Sequence, residues 1–213
     1  IHDLRLQCRS DSGNPLFNRG KFQMDFLCTV LSSYYNAGAL PDPNFDDNLS
    51  MISESFFNRD FLYKRTFQVP SKMKGKRILL NFDGINWKAL VVLNGKQVGR
   101  IEGAFMRGQF DITDYLQEGD NELLVYVQNN DNPGARKTKT GENTSFNGGV
   151  LGGDNPTFHA TIGWDWITTI PGREVGIWND VFLTATEAAA KLREQGRLQS
   201  EKRHQRSGKV KAL

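Results

Sequence analysis

KALVVLNGKQVGRI, residues 88–101, decides the fold. Six mostly aliphatic residues run into Asn94-Gly95, and that pair fits a two-residue type I′ turn, in which both central positions take positive φ. VGRI, residues 98–101, is then the return strand. Two strands alone are marginal in water, so the hairpin needs neighbours. The flanking sequence supplies them. FLYKRTFQV (61–69) sets Phe61, Tyr63, Phe67 and Val69 against Leu62, Lys64, Thr66 and Gln68, with Arg65 on the mainly apolar side. RILLNF (77–82) places Ile78, Leu80 and Phe82 on one face, and NELLVYV (121–127) and WNDVFL (178–183) alternate again. Turn residues at Lys74-Gly75, Asp83-Gly84 and Glu118-Gly119 punctuate these runs. Period-two runs at such spacing, with no helical pattern between them, predict an all-β antiparallel sandwich or barrel.

Composition agrees. The chain has 213 residues with 21 Gly and 14 Phe, which suits short strands and tight turns and is long enough for one large core. No run of about 18 apolar residues occurs, so no membrane-spanning helix is expected. The chain opens on Ile1 without a charged-then-apolar leader, so a signal peptide is expected either to have been removed or never to have been present. The formal charge of +3 is unevenly spread: eight Lys/Arg and three Glu from Glu187 onward give 8 − 3 = +5, leaving 3 − 5 = −2 for the body. A near-neutral body argues against a nucleic-acid-binding face, leaving only the basic tail as a candidate for phosphate backbones. Cys8 and Cys28 form no metal-binding spacing; one bridge between them is an option, and two unpaired thiols are the expectation.

The ends differ from the middle. Residues 1–28 lack periodicity and carry the turn signals Ser10-Asp11-Ser12-Gly13-Asn14-Pro15, so they are expected as an irregular arm. TVLSSYYNAGALPDPNFDDN opens with a short helical stretch and continues as a Pro- and Asp-rich loop. Residues 128–162 are rich in Asn, Asp, Gly, Thr and Lys, and loops this long in a compact domain are functional or disordered. Residues 187–213 are expected as a basic tail, helical or disordered, outside a domain spanning 29–186.

GWDWITTIPGREVGIWND (163–180) holds three of the four tryptophans. Extended backbone over Gly163–Ile167 puts Trp164 and Trp166 on one face and Asp165 on the other. Each ring buries about 150–250 Å², roughly 4–6 kcal/mol of gross transfer energy, so core scaffolding competes strongly with a ligand platform. A carboxylate between such rings needs donors. Arg173 is an internal candidate, and the hydroxyls of a ligand are the external one. Asn86-Trp87 reads as packing at a sheet edge and His159 as a structural histidine. Arg107 is expected to pair with Asp111 or a loop carboxylate, with a ligand contact as the sharper alternative. Asn48 and Asn143 each open an Asn-x-Ser sequon.

Five stretches in order, TVLSSYYNAGALPDPNFDDN, FLYKRTFQVP, GKRILLNFDGINWKALVVLNGKQVG, EGAFMRGQFDIT and NPTFHATIGWDWITTIPGREVGIWNDVFL, resemble glycoside hydrolase family 2. They are similar to its N-terminal sugar-binding domain, in the β-mannosidase and exo-β-glucosaminidase branch. The resemblance covers about residues 29–186 and implies a galactose-binding-like jelly roll. It implies a carbohydrate partner of β-linked mannose or glucosamine type, a catalytic barrel elsewhere in the full-length enzyme, no cofactor, no metal, and a periplasmic or extracellular setting. KFQMDFLC stands where the family has a Trp-containing first strand, which leaves that strand unassigned. A retaining glycosidase needs two carboxyls about 5–5.5 Å apart, and no motif here nominates such a pair. No catalytic residue is therefore assigned. In mannosidase-like relatives the Asp of the Gly-Trp-Asp-Trp motif contacts the terminal sugar, a role the resemblance carries to Asp165. Trp164, Trp166 and Arg107 complete the substrate-binding candidates.

Overall fold

The computed structural model describes residues 17–18, 21–24, 28–137, 149–150, 152–154 and 169–186, the first two segments by backbone alone. The principal strands are β1 (Lys21–Met24), β2 (Phe61–Gln68), β3 (Arg77–Phe82), β4 (Lys88–Leu93), β5 (Lys96–Glu102), β6 (Gly108–Asp111), β7 (Asp120–Val127) and β8 (Val181–Thr186). They form two antiparallel sheets. One has the order β2-β7-β4-β5; the other runs from a short strand at Phe17–Asn18 through β1, β8 and β3 to β6. The all-β sandwich expected from alternation is the fold found.

The register brings inward residues side by side. Tyr63 faces Val125, which faces Val91; Phe61 faces Val127, which faces Ala89. These side chains meet Ile78, Leu80, Phe82, Val181 and Leu183 from the opposing sheet in one continuous core. Arg65 keeps the inward phase opposite Leu123 yet is solvent-exposed, because β2 is an edge strand along which a long charged side chain can reach water.

The hairpin that decided the fold closes as expected. Leu93 pairs with Lys96, and Asn94 and Gly95 take φ of 50° and 76°. The two-residue turn starts the return strand at Lys96, two residues before VGRI, and a register shift at Val91/Val92 leaves Val98 without an opposite residue in the ladder. Asn94 also ties neighbouring strands together, donating through Nδ2 to Tyr115 O and Asn121 Oδ1 at 2.8 Å and accepting from the Glu122 amide at 2.9 Å. A β-carbon at Gly95 would meet nothing within 4 Å, so Gly95→Ala tests conformation alone. It is expected to cost about 1 kcal/mol in urea unfolding, with the m-value unchanged.

Three sequence expectations are corrected. Residues 1–28 are not an irregular arm throughout: β1 pairs with β8, Met24 opposite Val181 and Lys21 opposite Thr184. Four residues are too few for periodicity to show, and the partner lies at the far end of the domain. In WNDVFL the strand begins only at Val181, because the amides of Trp178 and Asn179 both donate to Gly84 O instead of entering the ladder. Cys28 is disulfide-bonded, not a free thiol. Pairing depends on Cα separation in the fold, which sequence spacing does not set. Cys8, the other cysteine, lies outside the described residues, as do 187–213.

The short helix expected after residue 28 is α1 (Val30–Asn36), whose N-cap Thr29 accepts from the Ser32 amide. A small sheet of Cys28–Thr29, Gly176–Ile177 and Ile85–Asn86 sits beside it. The two ends of the sandwich are unequal. At one, the two-residue turn 94–95 joins β4 to β5, and residues 112–119, with a 3-10 turn at Thr113–Tyr115, join β6 to β7; at the other, the connections 83–87 and 103–107 meet residues 169–180.

Candidate functional site

The long connections are held together by one ionic cluster. Arg173, with its side chain only 5% exposed, donates from Nη1 to Glu54 Oε1, from Nε to Pro133 O at 3.0 Å and from Nη2 to Gly134 O at 2.8 Å. Glu54 Oε2 accepts from the Gly172 amide at 3.2 Å, and its Oε1 lies 3.5 Å from Arg136 Nε. Arg136 reaches on to the carbonyls of Leu49, Ser50 and Ile52. Three segments distant in sequence, 49–54, 133–136 and 171–174, are thus tied through one carboxylate and two guanidiniums. Burying such charges is tolerable only because each finds several partners.

The backbone there is unusual. Gly172, Arg173 and Glu174 have φ of 70°, 46° and 57° in succession, a region that non-glycine residues enter at a cost of order 1–3 kcal/mol. The contacts above, with Asn86 Nδ2 donating to Arg173 O at 2.7 Å, hold the turn in place. Burial pushes the Glu174 carboxyl above the usual carboxylate range.

Arg107 meets Asp83, its Nε 3.2 Å from Oδ1, so the loop carboxylate expected as its partner is Asp83. Asp111 is taken by Arg77 Nε at 2.8 Å. Hydrogen bonds from Thr113 and Arg77 outweigh the opposing effect of burial and hold Asp111 below the usual carboxylate range. Trp87 is half-buried with Lys88 Nζ 4.5 Å from its ring centroid, while its Nε1 and Asn86 Oδ1 are buried with no hydrogen-bond partner among the described residues. Trp178 donates from Nε1 to Ala104 O at 3.0 Å, and its ring lies directly on the Gly84 backbone.

Asp165, Trp164, Trp166 and His159 lie outside the described residues. Of the expected site residues the structure therefore places Arg107, together with Arg173, the internal candidate partner of Asp165. Glu54 and Arg136 were missed. In sequence they look like any solvated charge, and only the fold shows how deeply their groups are engaged. Among the described residues no group of three or more His, Cys, Asp or Glu could hold a metal ion.

Two antiparallel sheets with a charged cluster on the connections at one end define a β-sandwich whose polar groups are concentrated on loops. Residues 8–179 match the family model described as glycosyl hydrolase 2 galactose-binding domain-like, and the chain belongs to this family. It is 33% identical over 159 residues to a mannosylglycoprotein endo-β-mannosidase of Lilium longiflorum, covering 73% of this chain and 16% of that one. Over the same length it is 28% identical to an exo-β-D-glucosaminidase of Streptomyces avermitilis, covering 73% and 15%. In fold it resembles an exo-chitosanase of Amycolatopsis orientalis, with a TM-score of 0.53 at 24% identity over 76% of this chain and 16% of that one. The chain spans less than a fifth of the length of these relatives.

Proposed function

We propose that this domain is a non-catalytic, carbohydrate-directed part of a family 2 glycoside hydrolase, completing the wall of an exo-acting pocket formed with a catalytic barrel. Asp165 is the contact to the terminal sugar. Trp164 and Trp166 supply the scaffold that presents it, and Arg107 is a further sugar contact. The sugar is a β-linked mannose or glucosamine type, in keeping with relatives that are a β-mannosidase and an exo-β-D-glucosaminidase.

One observation carries this role for Asp165. The internal candidate partner is Arg173, and Arg173 is engaged by Glu54 and by the carbonyls of Pro133 and Gly134. A carboxylate between two indoles still requires donors, and sugar hydroxyls provide them.

The test is a calorimetric titration of the domain with β-mannosides and β-glucosaminides, wild type against Asp165→Ala. Loss of one charge-assisted hydrogen bond is expected to weaken binding about tenfold or more. In a full-length enzyme the same substitution should lower kcat/KM by a similar factor. Normal kcat/KM there would make the domain a brace for the barrel that touches no sugar.

A further inference from the structure

The turn Gly103–Arg107 presents two large apolar side chains to solvent, Phe105 at 62% and Met106 at 52% exposure. Single exposed hydrophobics are ordinary, but this pair is built. Ala104 between them and the core is fully buried, and its carbonyl accepts the Trp178 indole N–H. The Gly103 amide donates to Trp87 O at 3.1 Å, and the Met106 amide donates back to Gly103 O at 3.0 Å. Phe105 stands edge-to-face on Trp178, ring centroids 5.9 Å apart.

The platform continues into charge. A β-carbon at Gly84 would lie 2.5 Å from the Trp178 ring, so the indole rests on that glycine, and the residue before it is Asp83. Asp83 pairs with Arg107, whose side chain remains 80% exposed. Phe105, Trp178, Asp83 and Arg107 therefore form one contiguous strip on the loop end. A rigid aromatic ring beside an exposed guanidinium and a carboxylate matches the two faces of a pyranose. Its polarised C–H face meets the negative face of the ring, while its rim hydroxyls both accept from the guanidinium and donate to the carboxylate.

We propose that Phe105 and the Arg107–Asp83 pair form a carbohydrate subsite that takes a pyranose unit of a β-linked saccharide. It rests on the carbohydrate-directed function proposed above and extends it from Asp165 to a second, independently built contact. Met106 borders the ring and adds apolar area.

The experiment titrates the domain with β-linked disaccharides of mannose and of glucosamine, by calorimetry and by tryptophan emission, since a sugar on Phe105 sits beside Trp178. Phe105→Ala and Arg107→Ala are compared with wild type, with Asp165→Ala and with Phe45→Ala, an exposed aromatic elsewhere (68%). The expected result is about tenfold weaker binding for Phe105→Ala and for Arg107→Ala. Phe45→Ala should bind as wild type, and the Phe45, Phe105 and Arg107 variants should each unfold cooperatively from a folded state, because those three side chains are more than half exposed. Undiminished binding by Phe105→Ala and Arg107→Ala, with Asp165→Ala impaired, overturns the subsite and leaves the Asp165 role standing. The reverse pattern establishes the subsite and removes that role. Absence of saccharide binding by the wild-type domain overturns both.

Discussion

Arg173→Ala is expected to lower the stability of the domain by about 3–4 kcal/mol, a large part of what a small domain possesses. The guanidinium is the partner of Glu54 and of two main-chain carbonyls. Removing it leaves the Pro133 and Gly134 carbonyls without that donor and Glu54 with only the Gly172 amide and the longer contact to Arg136, and polar groups stripped of a partner in a partly closed space cost more than the pair contributed. Some of the penalty is softened because the Glu54 side chain is 37% exposed and can rehydrate. Urea unfolding measures the total. A second variant separates side chain from backbone. Position 173 has φ of 46°, which glycine adopts freely and alanine does not. Arg173→Gly should therefore be about 1 kcal/mol less damaging than Arg173→Ala. Equal losses would mean that the turn relaxes to an ordinary conformation once its side chain is gone. A loss below about 1 kcal/mol for both would show that the ionic cluster contributes little to the fold.

Gly176→Ala is the second large effect, expected at about 2–4 kcal/mol. Two costs coincide. Gly176 has φ of 115°, where a side chain is strained whatever the space. A β-carbon there would also lie 2.2 Å from the Tyr63 hydroxyl and 3.1 Å from the Val30 amide nitrogen. Neither neighbour can give way cheaply. Tyr63 is buried, donates to Cys28 O at 3.2 Å, and has its phenol pKa driven upward by burial. The Val30 amide is bonded to Val175 O at 2.9 Å as the first turn of α1 begins. Thermal and urea unfolding check the loss. A wild-type midpoint would mean that the small sheet at this end adds nothing to the cooperative unit.

Both positions show where sequence stops being sufficient. The strands were legible because burial of one face imposes a period of two over six or eight residues, as in β4 and β7, and because Asn-Gly has few conformations to choose from. β1 was not legible, since four residues carry no periodic signal and its pairing with β8 closes nearly the whole domain. Family resemblance drew attention to the stretch 163–180, but Glu54, Arg136 and Arg173 are ordinary charges in sequence. Their roles follow from three loops meeting, which is a property of topology and not of any local pattern. Arg107 shows the same limit in miniature, because a cation near two aspartates does not announce which it will meet. Trp178 and Phe105 read as generic aromatics until the fold stacked one on Gly84 and the other on its edge.

Thr186, the last residue of β8, pairs with Arg77 at the end of the sandwich remote from Asp83, Arg107 and Arg173. With about 3.3 Å of rise per residue, the six residues of β8 put roughly 20 Å between that point and the loop end. An attachment made at Thr186 would hold the domain by its heel. A tilt of a few degrees about that heel would sweep the toe by about an ångström, the scale on which hydrogen bonds to a sugar are made or lost. Aim, in such a lever, has to be set by what the toe touches and not by the tether.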